Sequence, residues 1–245
     1  MTNDVDIVIR QQESSTLNLV RASSSLPVAK MRASRVREQA HREFIKLIQR
    51  LFLSRSQTVQ SVVFSAVQTG SGCTFVCTRI AEILANQLEE PVCLVDANFR
   101  SSRINEQFEF ENGAVRPRDE ELTRMRVGVN YLKTQKSNLW LVVYRPATPD
   151  CPRQASLERF QNLIEDLRKD FTYILIDAPP MGDYVDASLL AKTADGLVMV
   201  VEANDTRREA AQKAKEMLDA SDIPVLGAVL NRRTFPIPEF LYRRL

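Results

Sequence analysis

Hydrophobic residues recur along this chain in two different rhythms. Short apolar runs rich in β-branched side chains alternate with longer segments whose apolar positions repeat every three or four residues. The first pattern is typical of buried β-strands and the second of amphipathic helices. We predict strands over residues 62–66, 92–97, 139–144, 173–178, 197–201 and 225–230, and helices over 74–89, 155–169, 184–193 and 206–220. This alternation predicts an α/β fold, in which a parallel sheet is covered by helices on both faces.

The N-terminal quarter follows another pattern. Residues 1–33 mix Ser, Asn and Gln with scattered valines, so we predict a weakly ordered arm. Residues 34–53 form a predicted helix with an apolar and a basic face, which packs on the domain or on a neighbouring subunit; its apolar positions are Val36, Ala40, Phe44, Leu47, Ile48, Leu51 and Phe52. We therefore predict an arm, a domain over 34–234 and a tail over 235–245, with a loop or mobile excursion at 110–130.

Composition narrows the class of protein. With 245 residues, 44% hydrophobic and 26% charged, the chain is long enough for one buried core. It has no run of 18 apolar residues and no basic stretch leading into an apolar run at its start, so we expect neither a membrane span nor a signal peptide. Four cysteines without paired metal-ligand spacing fit a reducing cytoplasm. The single histidine, His41, lies among charged residues, which argues against a catalytic triad or a His-rich metal site.

Charge is distributed unevenly although the net charge is only +2. Residues 1–60 carry ten Lys and Arg against five Asp and Glu, which leaves 23 against 26 for the rest. This asymmetry fits an acidic partner, a membrane surface or nucleic acid, or simply a solvated basic segment. We favour the solvated segment and expect no nucleic-acid partner.

A glycine-rich turn follows the first predicted strand and opens the first predicted helix of the domain. Residues 66–74 read Ala-Val-Gln-Thr-Gly-Ser-Gly-Cys-Thr, and two of the seven glycines of the chain lie here. Backbone amides of such a turn converge on an anion, and the helix N-terminus adds partial positive charge. The sequence therefore predicts a phosphate-binding loop whose nucleotide-binding residues are Gly70, Ser71, Gly72, Cys73 and Thr74.

The position before Thr74 departs from the usual phosphate loop. That position is ordinarily a lysine, whose ammonium contacts the β- and γ-phosphates. Here it is Cys73. Its thiol is either activated by the helix N-terminus or a neutral group that fills the vacated space, and we favour the neutral group.

Two carboxylates end two of the predicted strands. Asp96 closes the strand at 92–97 and Asp177 the strand at 173–178. The carboxyl ends of parallel strands meet at one edge of the sheet, so both groups are predicted to lie near the phosphate loop, where they hold a magnesium-bound water or orient a nucleophile. Each could instead cap a helix, but together they favour a nucleotide site.

These motifs resemble the cytoplasmic domain of bacterial tyrosine kinases of capsular and exopolysaccharide biosynthesis, relatives of the ParA/MinD ATPases. The likeness covers residues 38–234 and implies a ParA/MinD-like P-loop NTPase fold with a helical N-terminal extension. It implies Mg-ATP or Mg-ADP as ligand, Thr74 as a magnesium ligand and Asp177 as an outer magnesium partner. It also implies that Asp96 activates the attacking hydroxyl and that Asn231 contacts adenine.

Three departures from the kinase pattern concern different parts of the kinase cycle. Cys73 replaces the lysine, Tyr242 is the only tyrosine in the tail, and the motif Glu-x-x-Arg-x-x-Arg of ring-forming members reads Glu43-x-x-Lys46-x-x-Gln49. We therefore predict weak nucleotide binding and weak homo-oligomers.

Three functions follow from these residues. The first is a degenerate kinase-like regulator or scaffold, located in the cytoplasm and peripherally at the membrane through a polysaccharide chain-length or export protein. The second is an active tyrosine kinase in which Arg100 or Arg103 replaces the lysine. The third is a ParA/MinD-like positioning ATPase, although Gln68 and Cys73 occupy both lysine positions of that class.

Overall fold

The computed structural model describes residues 6–8, 26–53, 58–98, 104, 129–134, 138–144, 153–182 and 186–232. Within these residues the chain forms one eight-stranded sheet with the strand order β1-β8-β7-β2-β6-β3-β5-β4. The six predicted strands are confirmed to within one residue at each end. The strands are β1 (Asp6–Val8), β2 (Ser61–Ala66), β3 (Val92–Asp96), β4 (Val129–Lys133), β5 (Leu139–Tyr144), β6 (Tyr173–Asp177), β7 (Gly196–Glu202) and β8 (Val225–Asn231).

Helices cover both faces of this sheet, as predicted. The helices are α1 (Leu26–Phe52), α2 (Cys73–Gln87), α3 (Arg153–Asp170), α4 (Asp186–Ala191) and α5 (Arg208–Asp219). Helices α1 and α2 pack on one face in a cluster that includes Phe64 and Leu94. Helices α3, α4 and α5 pack on the other face, in a cluster that includes Val63 and Val95. Adjacent residues of one strand thus enter opposite cores, which explains why the strands read as continuous apolar runs.

Three features differ from the sequence-based expectation. Strand β4 runs antiparallel to β5, so the sheet is not wholly parallel, and β4 begins within the segment predicted as a loop. Strand β1 and the start of α1 both lie within the arm predicted to be weakly ordered. The helix begins at Leu26 rather than at residue 34, because Pro27 is compatible with a first helical turn.

The apolar face of α1 is used inside the chain. Phe44, Leu47, Ile48, Leu51 and Phe52 are all buried in the first core cluster. The ring of Phe52 also meets Tyr173 of β6 edge to face, at a centroid distance of 5.3 Å. The sequence predicted that this helix packs on its own domain or on a neighbouring subunit, and the structure shows that it packs on its own domain.

Some predicted features fall outside the described residues. Arg100, Arg103 and the tail with Tyr242 are among them, as is most of the segment 110–130. Among the described helices, none combines the length and the hydropathy required to cross a bilayer.

Candidate nucleotide site

The turn between β2 and α2 has the backbone of a phosphate loop. Gly70 and Gly72 take φ values of 91° and 81°, a left-handed conformation that glycine adopts without steric cost. Gly72 caps α2 with its backbone alone, and the helix begins at Cys73. The loop therefore presents the amide end of a 15-residue helix, a geometry that favours an anion.

Two side chains hold this loop in shape. The hydroxyl of Ser71, itself buried, donates to the carbonyl oxygen of Gln68 at 2.9 Å. From the end of β8, Asn231 donates its Nδ2 group to the carbonyl oxygen of Ser71 at 2.8 Å. Asn231 is fully buried, and its Oδ1 atom has no hydrogen-bond partner in the part of the chain that the structure describes. The structure thus gives Asn231 a role in positioning the loop, and its contact with adenine stays a prediction.

The segment after β6 is fixed against the strand that feeds the loop. Met181 and Gly182 donate their amides to the carbonyl oxygens of Ala66 and Val67, at 2.9 and 3.1 Å. A Cβ atom on Gly182 would lie 2.2 Å from the carbonyl oxygen of Val67, so only glycine allows this approach. These contacts join the segment after β6 to the end of β2, where the loop begins.

Thr74 and Asp177 meet beneath the loop. The Thr74 hydroxyl donates to Oδ2 of Asp177 at 2.7 Å. The second oxygen of this carboxylate, Oδ1, is buried and has no hydrogen-bond partner among the described residues. Asp96 lies in register with Asp177 on the neighbouring strand β3 and is also fully buried. The structure thus brings together the two carboxylates and the threonine that the sequence singled out.

Burial dominates the electrostatics of these groups. It raises the pKa of Asp177 to about 7, a rise to which the Asp96 charge adds and which the hydrogen bonds from Thr74 and Cys73 oppose. Burial, and next the Asp177 charge, raises the pKa of Cys73 well above its ordinary value. A raised pKa favours the neutral thiol over an activated nucleophile, and the neutral thiol is the alternative preferred from the sequence.

A polar contact links the mouth of the loop to the segment that follows β7. The Nε2 group of the half-buried Gln68 donates to Oδ2 of the exposed Asp205. Glu202, at the end of β7, forms a salt bridge with Arg232 at 3.2 Å. Sequence reasoning missed the partners of Gln68 and Asn231, because both contacts join residues more than 130 positions apart and no local pattern encodes them.

The donor set fits a hard divalent cation. Magnesium prefers oxygen ligands and keeps several waters, and a threonine hydroxyl with a carboxylate is a common protein contribution. Thr74 and the unpartnered Oδ1 of Asp177 supply such oxygens, and a metal there would satisfy that buried atom. Among the described residues no group of three or more His, Cys, Asp or Glu side chains could hold a metal alone. The ion would therefore depend on phosphate and water for its remaining ligands.

The sheet order, the loop and the two strand-end carboxylates define a P-loop nucleotide-binding protein. A family model described as ParA, NUBPL iron-transfer P-loop NTPase, matches residues 58–241. The tyrosine-protein kinase CpsD of Streptococcus agalactiae is 30% identical over 172 residues, which are 70% of this chain and 74% of the relative. The chain belongs to the ParA-type P-loop NTPases and, within them, to the family of the bacterial tyrosine kinases of capsule and exopolysaccharide biosynthesis.

Other relatives and solved structures agree with this assignment. Tyrosine-protein kinase YwqD of Bacillus subtilis is 26% identical over 180 residues, which are 74% of this chain and 75% of the relative. The kinase domain of the Escherichia coli tyrosine kinase ETK superposes with a TM-score of 0.68 and 17% identity, covering 95% of this chain and 92% of that domain. The MinC:MinD complex of Aquifex aeolicus gives a TM-score of 0.56 at 20% identity, covering 76% of this chain and 72% of that one. The two superpositions show the fold alone.

Proposed function

We propose that this chain is a catalytically degenerate kinase-like protein that acts as a regulatory or scaffolding partner in exopolysaccharide or capsule biosynthesis and export. Its phosphate loop binds Mg-ATP or Mg-ADP weakly and transfers no phosphate at a useful rate. The protein acts by binding other proteins, and its nucleotide site influences the conformation in which it binds them.

The observation that carries this proposal is the chemistry of Cys73. In phosphoryl transfer the protein contributes mainly position and positive charge on the moving phosphate. Cys73 supplies a buried, neutral thiol, and Asp177 accepts a hydrogen bond from it. An approaching triphosphate therefore meets loop amides and two carboxylates, and no Lys or Arg is among the groups that shift the pKa of Asp177 within the described residues.

A second candidate is an active protein-tyrosine kinase of the same pathway. The hydrogen bond between Thr74 and Asp177, with Asp96 in register beside them, favours it, because these are the groups that would hold magnesium and the attacking hydroxyl. When bound, magnesium would neutralise charge on the β- and γ-phosphates. This candidate requires another cation in place of the lysine, and Arg100 and Arg103 were the residues predicted for it.

Titration of the purified chain with Mg-ATP in a calorimeter separates the two candidates. We expect a dissociation constant well above the micromolar range. Without the lysine, the charge-assisted hydrogen bonds to the β- and γ-phosphates are lost, and their loss weakens nucleotide binding. The same titration of CpsD from Streptococcus agalactiae is the positive control. Submicromolar affinity, or ATP-dependent phosphorylation of Tyr242, would support the active kinase and refute the degenerate one.

We also propose that the protein lies in the cytoplasm, peripherally at the inner face of the membrane, bound to a polysaccharide chain-length or export membrane protein. Its homo-oligomers are weak. Over residues 44–52, where the side chains are described, the apolar face of α1 is buried within the chain, so this part of the helix offers a neighbouring subunit its polar face. On that face Lys46 already pairs with Glu43 at 2.9 Å. Light scattering should show monomers at micromolar concentration, and a stable ring there would contradict this part of the proposal.

A further inference from the structure

A tight turn over residues 202–206 connects β7 to α5. The amide of Thr206 donates to the carbonyl oxygen of Glu202, and the amide of Glu202 donates to the Thr206 hydroxyl, each at 3.1 Å. Asn204, inside the turn, has a left-handed φ of 66°, a conformation that asparagine tolerates better than most residues. These contacts fix the backbone from which the next side chain, Asp205, extends.

This turn is joined to the phosphate loop by two routes. In the first, Nε2 of Gln68 donates to Oδ2 of Asp205. In the second, the amide of Ala203 donates to the carbonyl oxygen of Asn231, whose side chain donates to the carbonyl oxygen of Ser71, each at 2.8 Å. The Ser71 hydroxyl donates to the carbonyl oxygen of Gln68 at 2.9 Å. The turn and the loop therefore form a closed ring of hydrogen bonds, and all its members are described residues.

The ring places a carboxylate at the rim of the loop. Residues 69–70, at the tip of the loop, are exposed, and so is Asp205. Gln68 holds this carboxylate through a neutral amide, which does not cancel its negative charge. Glu202, the other acid of the turn, is paired with Arg232 at 3.2 Å. Exposed charges interact over about 10 Å at 0.1 M salt, so an anion bound in this short loop is repelled by Asp205.

We propose that Asp205, held at the rim by Gln68 and by the turn 202–206, determines the selectivity of the loop and disfavours a nucleoside triphosphate more than a diphosphate. Coulomb repulsion grows with the charge of the ligand, and Mg-ATP carries one more negative charge than Mg-ADP. Repulsion of the unwanted ligand is an established route to specificity. The inference rests on the proposed function, since it takes the loop as a nucleotide site, and it deepens that function by naming the diphosphate as the preferred ligand.

Titrations with Mg-ADP and with Mg-ATP test the proposal, with the backbone amide shifts of residues 70–74 followed by NMR at low salt. Asp205→Asn removes the charge and keeps an acceptor for Gln68. The matched control, Asp219→Asn, makes the same change at the other end of α5, where the carboxylate pairs with Lys215 at 2.7 Å. We expect Asp205→Asn to bind Mg-ADP about twofold and Mg-ATP about fourfold more tightly than wild type, because the repulsion scales with ligand charge. The control should match wild type.

Salt separates an effect of charge from an effect of shape. The gain of Asp205→Asn should shrink towards unity between about 0.05 M and about 0.5 M salt, because the contact is exposed. An equal gain for both ligands, or one that persists at high salt, would overturn the proposal. So would weaker binding, which would mean that Asp205 shapes the loop for its ligand. Absence of binding by wild type and by the variant alike would also overturn it, since removing the repulsion should bring a ligand into the loop.

The role of Gln68 has its own variant and a readout that needs no nucleotide. Gln68→Ala releases the carboxylate and keeps its charge, so it should gain less than Asp205→Asn, and again more for Mg-ATP. In the ligand-free protein, the side-chain amide signals of Gln68 should move in Asp205→Ala and stay in place in Asp219→Ala. Signals that stay in place in Asp205→Ala would show that the contact does not form, and the positioning of Asp205 would be refuted.

The two proposals fail in different ways. Submicromolar binding of Mg-ATP to wild type would refute the degenerate protein, but the ratio between wild type and Asp205→Asn would still measure the repulsion. Weak binding of both nucleotides with the same ratio in both proteins would refute the selectivity and leave the proposed function standing. Arg207 and Arg208, which are exposed beside Asp205, are present in every variant, so the difference reports the carboxylate.

Discussion

Two aspartates near opposite ends of β2 have opposite surroundings. Near its amino end, Asp195 accepts hydrogen bonds from Nη2 of Arg168 at 2.7 Å and from the backbone amides of Gln60 and Ser61, each at 2.8 Å. Near its carboxyl end, Oδ2 of Asp177 accepts a hydrogen bond from Thr74, and Oδ1 is buried without a partner among the residues that the structure describes. Within the described residues, both oxygens of Asp195 therefore accept hydrogen bonds, whereas only one oxygen of Asp177 does.

The two pKa values follow from this difference. Burial raises the pKa of Asp195, but hydrogen bonds from Arg168, Ser61 and Gln60 outweigh it, so the pKa lies below its ordinary value. Burial raises the pKa of Asp177 to about 7, and no cation opposes it among the described residues. The ionised Asp195, whose oxygens have donors, therefore stabilises the folded state. The ionised Asp177 destabilises it, and its buried oxygen remains available to a cation.

The largest effect is expected from Asp195→Ala. The substitution removes the carboxylate that pairs with Arg168 and leaves the backbone amides of Gln60 and Ser61 without this acceptor, which costs about 3 kcal/mol of unfolding free energy. Because both side chains are partly exposed, at 29% and 28%, water offsets some of the loss. Urea denaturation measures the effect. Asp219→Ala is the matched control, since the Lys215–Asp219 pair is exposed and should change stability by less than about 0.5 kcal/mol.

The same site predicts a pH dependence. The pKa of Asp195 is lower in the folded protein than in the unfolded chain, so its stabilising contribution is present above the unfolded value, near 3.8, and is lost as the pH falls through the folded value. The destabilisation caused by Asp195→Ala should therefore shrink only at strongly acidic pH. A loss that shrinks already at pH 6 would contradict this origin.

Cys73→Lys is expected to increase the stability of the protein only when Mg-ATP is present. The new ammonium lies at a helix N-terminus in a buried position, so without nucleotide the variant should be slightly less stable than wild type, despite the nearby Asp177. With Mg-ATP at a hundredfold excess over its dissociation constant, the variant should gain about 2.7 kcal/mol. Phosphotransfer should stay low, because Tyr242 is the only tyrosine in the tail.

Thermal melts with and without Mg-ATP measure this difference. Cys73→Met is the matched control, since it fills a similar volume without charge and should gain nothing from nucleotide. If Cys73→Lys melts at the same temperature with and without Mg-ATP, changes other than the lost lysine also prevent nucleotide binding. The interpretation of this end of β2 as a nucleotide site would then be wrong.

Asp177→Asn should stabilise the protein where the wild-type carboxylate is ionised. The unfolded chain releases this proton near pH 3.8 and the folded protein near pH 7, so the folded state binds more protons in that window and its unfolding free energy falls as the pH rises. Asparagine carries no charge and can still accept the Thr74 hydrogen bond. We expect the variant to exceed wild type by about 2 kcal/mol at pH 8, with the gap growing from pH 4 to pH 7. A constant gap over that range would contradict a buried charge as its cause.

Much of the fold was predictable because its signals are local. Runs such as those at 62–66 and 173–178 are buried on both faces, so their composition alone identifies them. Strand β4 escaped prediction because it is an antiparallel edge strand of five residues in a charge-rich region. Strand β1 escaped because three residues of pairing leave no periodicity to detect.

The site was predictable in its residues and only partly in its geometry. The loop motif and the strand-end positions of Asp96 and Asp177 identified where the ligand would lie, because parallel strands bring their carboxyl ends together. The hydrogen bond from Asn231 to Ser71 was not predictable, since it depends on β8 standing next to β7 in the sheet. Register between distant strands is a tertiary property, and a single sequence does not state it.

The smallest loss of stability is expected from Gly70→Ala. This substitution tests whether there is free space around the phosphate loop, at the carboxyl end of β2. A Cβ atom added at Gly70 would meet nothing within 4 Å, so the substitution creates no clash. Its cost comes from the φ value of 91° alone, which disfavours alanine by about 1 kcal/mol. Gly70→Asn should cost about half as much, because asparagine tolerates the left-handed region better. Urea denaturation of the three proteins checks this order. A loss for Gly70→Ala well beyond that of Asp195→Ala would mean that the loop is packed as tightly as the amino end, and the contrast between the two ends of β2 would disappear.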